Sequence, residues 1–71
     1  MTNRPVPETP ENLKPLLGAT LAEAEAAAKE AGYKTRVVNS DGQLRVGTRD
    51  VRLDRINLYL VENKVIAAFL G

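Results

Sequence analysis

The sequence predicts an α+β domain in which a single helix packs on a small mixed sheet, with a long extended loop between two parallel strands. Three observations predict it. An alanine-rich run behind Thr20 carries both a capping signature and a glycine stop, which marks one helix. Residues 55 to 61 alternate between apolar and polar and are followed by a turn and a second apolar run, which marks two strands. About 15 residues separate that pair from an earlier β-segment ending near Asn39, too many for a tight hairpin. A parallel pairing with a crossing arm accommodates them.

At 71 residues the chain holds one domain, and a chain this short buries only about 60% of the surface its unfolded form exposes. Hydrophobic residues at 44% and charged residues at 27% make it too apolar for disorder. Cysteine and histidine are both absent. That excludes a disulfide framework, a thiolate nucleophile, a zinc site of the usual ligands and a Ser-His-Asp relay. The sequence therefore points away from an enzyme, and no metal or cofactor is expected. Ten Lys plus Arg against nine Asp plus Glu leave +1, so no global field draws the protein to nucleic acid or to an anionic membrane. No apolar run approaches the roughly 18 residues of a membrane span. Met1-Thr2-Asn3-Arg4-Pro5 lacks the apolar core of a signal peptide. A soluble monomer is the expected state, with its location left open.

Residues 1 to 15 hold all four prolines among polar neighbours. Residues 1–11 read as a flexible Pro-rich tail and 12–71 as the domain. Leu13, Leu16 and Leu17 supply the first apolar anchors, with a short turn of helix before Gly18. Thr20-Leu21-Ala22-Glu23 matches a capping box, so the helix starts at about Leu21. It runs through Ala31 to the stop at Gly32, with Leu21, Ala24, Ala28 and Ala31 on one face. Tyr33 to Asn39 reads as a strand, and Ser40-Asp41-Gly42 as a turn. Arg55 to Val61 is a strand with Ile56, Leu58 and Leu60 on one face and Arg55, Asn57 and Tyr59 on the other. Glu62-Asn63 turns the chain into a last strand, Lys64 to Leu70.

Between the first two strands the loop spans about residues 40–54, and after its opening turn Gln43 to Asp54 shows no sustained apolar face and reads as exposed. Loops of this length without their own structure are uncommon in compact domains and usually functional. Arg45, Arg49, Arg52 and Arg55 are spaced by four, three and three, as on a basic helix face. Gly47, Thr48 and the β-branched Val46 and Val51 oppose a helix there, and Asp41, Asp50 and Asp54 dilute the charge. The three aromatics, Tyr33, Tyr59 and Phe69, lie outside the loop and leave bases nothing to stack on. Nucleic acid is thus not the expected partner. A solvated basic surface is the plain alternative.

The run Thr48-Arg49-Asp50-Val51-Arg52-Leu53-Asp54-Arg55-Ile56-Asn57-Leu58 resembles the reactive loop and following strand of the potato inhibitor I family and its bacterial relatives. Leu16-Leu17-Gly18 and Thr20-Leu21-Ala22-Glu23-Ala24 are similar to that family's opening, and the likeness spans about residues 13 to 71. Gly47 stands where the family more often has Val, and Asn57 where many members carry a second Arg. The resemblance implies a serine protease inhibitor with a reactive bond at Arg49-Asp50. Gly47, Thr48, Val51 and Arg52 would complete the protease-binding stretch, and Arg55 and Asn57 would support the loop from below, facing Thr48 and Asp50. Arg49 implies trypsin-like targets, with subtilisin-like enzymes as the second class. Gly18 to Ala24 with Gly32-Tyr33 is also similar to the start of a PASTA domain, a cell-wall or protein-interaction module. That alternative ends its fold near Leu60.

Overall fold

The structure, a computed structural model, describes residues 6–45 and 52–71. A 3-10 helix at Glu11–Leu16 precedes helix α1 (Leu21–Glu30) and strands β1 (Lys34–Ser40), β2 (Gln43–Leu44), β3 (Arg55–Val61) and β4 (Lys64–Leu70). The strands form one mixed sheet in the order β2-β1-β3-β4. β1 and β3 are parallel neighbours, as the length of their connection predicts. β3 and β4 are antiparallel, and so are β1 and β2.

Helix α1 is bounded by local chemistry. The Glu23 amide donates to the Thr20 hydroxyl at 3.2 Å, and the Thr20 amide donates to the Glu23 carboxylate at 2.9 Å. At the other end Gly32 takes φ +87°. There Gly32 N–H bonds the Lys29 carbonyl and Tyr33 N–H the Ala28 carbonyl, the paired closure of a Schellman motif. Ala31 is the C-cap and is exposed, so it leaves the buried face that its spacing assigns to it. Ala24 and Ala28 carry that face, and their small size lets α1 lie close to the sheet.

The amide and hydroxyl of Thr20 hold the Glu23 carboxyl below its usual 4.5. A carboxyl lowered in the fold stabilises it above that value, and the contribution is lost as pH falls through the folded pKa. Thr20→Ala removes the cap and is expected to cost about 1 kcal/mol. Urea unfolding at pH 7 and pH 3 checks this: the deficit should be larger at pH 7, where the substitution also removes the hydroxyl's hydrogen bond to the charged Glu23 carboxylate while the backbone amide of residue 20 keeps its own.

Two turns share one end of the sheet, and each has positive φ at both central residues. They are Asp41 (52°) with Gly42 (81°), and Glu62 (50°) with Asn63 (66°). Such primed turns match the twist of the strands they join, and Gly, Asn and Asp accept them at least strain. The Asp41 carboxylate accepts from the Glu62 amide at 2.8 Å, tying the two turns together.

The core lies between α1, the 3-10 helix and one face of the sheet. Leu13, Leu16, Ala24, Ala28, Ile56, Leu58, Leu60, Val65 and Ala68 form it. Leu17, read as an anchor, is exposed. The opposite face is not simply solvated, because Asn57 is only 1% exposed there. Val38 and Ala67 are also buried away from the helix-side cluster, and Tyr59 and Phe69 meet with ring centroids 6.2 Å apart.

Two sequence expectations are corrected. The segment read as one structureless loop from residue 40 opens with the β1–β2 hairpin, in which Asn39 pairs with Leu44 and Ser40 with Gln43. The primed Asp41-Gly42 turn reverses the chain within two residues, so pairing resumes at once. The boundary of the N-terminal tail also moves. Thr9 is buried and accepts a hydrogen bond from the Ala68 amide at 3.1 Å, and the 3-10 helix starts at Glu11.

Candidate functional site

A parallel pair obliges the chain to return from the end of β1 to the start of β3, about 20 Å at 3.3 Å per residue. The described parts of that connection are held by backbone bonds. Arg45 N–H donates to the Val38 carbonyl at 2.8 Å, and Lys34 N–H donates to the Asp54 carbonyl at 2.8 Å. Gly47, Thr48, Arg49, Asp50 and Val51 lie outside the described residues. Arg52 and Leu53 are exposed, with Leu53 at 80%.

Arg55 and Asn57 both occupy the sheet face opposite α1, as strand alternation requires. They converge on one atom. Arg55 Nε donates to the Gly71 backbone oxygen at 2.9 Å, and Asn57 Nδ2 donates to the same oxygen at 3.1 Å. Gly71 N–H in turn donates to the Arg55 carbonyl at 3.1 Å. The remaining side of the Asn57 amide is taken by β1, where Arg36 Nε donates to Asn57 Oδ1 at 3.0 Å. Arg36 and Asn57 are register partners in the parallel pair, which places the two side chains on the same face.

This network explains how a polar amide tolerates near-complete burial. Its oxygen accepts from a guanidinium and its nitrogen donates to a backbone oxygen, so the desolvation cost of each is offset. Among the described residues no buried side-chain nitrogen or oxygen lacks a partner. The close approach of Gly71 needs a glycine: a Cβ there would stand 2.9 Å from Asn57 Nδ2. Near the head of β3, the Arg36 guanidinium thus bonds the Asn57 amide directly, and the Arg55 guanidinium shares the Gly71 oxygen with it.

Sequence reasoning identified Arg55 and Asn57 as a pair on one face, and the structure brings them together. It missed Arg36 and Gly71. The signal for Arg36 was a long basic side chain in the middle of a strand, Thr35-Arg36-Val37, but its partner follows only from the β1–β3 register. No family model matches the chain, and neither a curated protein nor a solved structure matches it at significant similarity.

Proposed function

We propose that the protein is a serine protease inhibitor that presents the connection between β1 and β3 as a substrate-like loop, with Arg49 filling the specificity pocket of trypsin-like enzymes. The observation that carries this reading is the parallel β1–β3 pair, with the connection tied by backbone at Arg45 and Asp54 and followed at once by the Arg55-Asn57 network. A loop held at its ends loses less entropy on docking. An extended segment can pair with the edge of a protease cleft through its backbone, and the Arg49 guanidinium suits a pocket with a carboxylate at its base. After attack on the Arg49-Asp50 bond, the new amine stays close at high effective concentration and re-forms the bond before water intervenes. β4 supplies Val65 and Ala68 to the core, which supports the inhibitor reading over the PASTA-like one, whose fold ends near Leu60.

A panel of serine proteases incubated with the pure protein tests the proposal. Residual activity is followed alongside mass spectrometry of the Arg49-Asp50 bond. Inhibition of trypsin-like enzymes with slow or reversible cleavage at that bond is expected, and no inhibition of any protease overturns the reading. Arg55→Ala is expected to shift the protein from inhibitor towards substrate, with faster cleavage after Arg49. It removes the Arg55 donor from the Gly71 oxygen while Asn57 still donates there and Ile56, Leu58 and Leu60 keep the core. An unchanged inhibition constant and cleavage rate would make Arg55 a structural residue alone.

A further inference from the structure

β4 is an edge strand of the sheet, and from Val65 to Leu70 it carries six residues without charge, proline or glycine. Such a segment on an open edge is a template for pairing with another chain. Here the edge is occupied by the chain's own N-terminal part. Gly18 N–H donates to the Val65 carbonyl at 2.8 Å, and Val65 N–H donates to the Ala19 carbonyl at 2.8 Å. Thr20 bridges to Lys64, and Leu21 N–H donates to the Asn63 carbonyl at 3.2 Å. Farther along the same edge, the Ala68 amide donates to the buried Thr9 hydroxyl at 3.1 Å.

We propose that residues 9 to 21 are a strap that closes the outer edge of β4 against a second copy of this chain, with the Thr9 hydroxyl as its latch. Leu13 and Leu16 pin the strap by burial in the core. Pro10 and Pro15 have no N–H to offer, and Glu11 and Lys14 are charged, so the strap does not itself present a new edge. The two ends differ in strength. Around Val65 the closure is by paired backbone bonds, whereas around Ala68, among the described residues, it is by one side chain fifty-nine positions away in sequence. Opening at Thr9 would bare the apolar half of β4, where Ile66 is already 44% exposed. The partner that fits this edge is the same strand of another copy, because two identical edges can pair antiparallel about a two-fold axis.

Sedimentation equilibrium of the full chain and its variants, with amide exchange at Ala68, tests the strap. Thr9→Val keeps the shape and removes the acceptor, and Thr9→Ala serves if the valine methyl crowds the site. The expected result is a monomeric parent and a concentration-dependent dimer in the variant, with Ala68 exchanging roughly fivefold faster. Thr9→Ser should behave as the parent. Adding Ile66→Lys to Thr9→Val should restore the monomer by placing a charge on the bared edge. Thr9 variants that fold and stay as monomeric as the parent overturn the proposal, as does a dimer that persists with Ile66→Lys.

Discussion

Replacing Arg49 with leucine is expected to abolish inhibition of trypsin-like proteases and to create inhibition of enzymes with apolar pockets, such as chymotrypsin or subtilisin types. In the proposed complex the Arg49 side chain is the buried anchor, where truncation typically costs about 2 kcal/mol or more, a loss of roughly thirtyfold in affinity. Leucine leaves the carboxylate of a trypsin-like pocket desolvated and unpaired, which adds to that loss. The same change removes a charge that an apolar pocket would otherwise have to strip of water. Inhibition constants for parent and variant against one enzyme of each class measure the exchange. A basic surface that binds nucleic acid or an acidic partner predicts a different outcome, a small and uniform fall in affinity. If the variant and the parent inhibit the same enzymes equally, Arg49 is not the residue that fills the pocket.

Leu58→Ala is expected to be the most damaging single truncation in the core. Leu58 is 0% exposed and sits in the middle of β3, paired with Val37 of β1 on one side and Ala68 of β4 on the other. Removing a buried leucine side chain costs about 2–5 kcal/mol, through lost transfer energy and the cavity left behind. At about 0.05–0.15 kcal/mol per residue, the whole domain holds roughly 4–10 kcal/mol. The variant therefore loses a large fraction of its stability, and the smallness of its strand partner Ala68 and of Ala24 and Ala28 in the same core limits how far the site can refill. Urea denaturation measures the loss as a lowered midpoint at unchanged slope. Leu53→Ala is the control. At 80% exposure it should change stability by no more than about 0.5 kcal/mol. A Leu58 variant as stable as the control would contradict the core described above.

Several features are decided within a few residues, and these are legible in the sequence. The capping box at Thr20 and Glu23, the Gly32 stop, the two turns at Asp41-Gly42 and Glu62-Asn63, and the alternation from Arg55 to Val61 all rest on backbone sterics and hydrogen bonds between near neighbours. The parallel β1–β3 pair was legible too, because connection length alone restricts the topology. What the sequence withheld is set by register. Arg36 and Asn57 are 21 positions apart and meet only once β1 and β3 have paired, so no local pattern marks them as partners. Asn57 looks like an ordinary polar residue on the solvent side of a strand, yet the approach of Gly71 and Arg36 buries it. Thr9 sits in a proline-rich stretch whose composition suggests a solvated tail, and only the position of the β4 edge gives its hydroxyl a buried partner. Local chemistry therefore determined α1, β1, β3 and β4, whereas the two-residue β2 takes shape only through its pairing with β1. The tertiary structure alone decided which polar groups are buried, because satisfying them takes partners that the chain brings together only by folding.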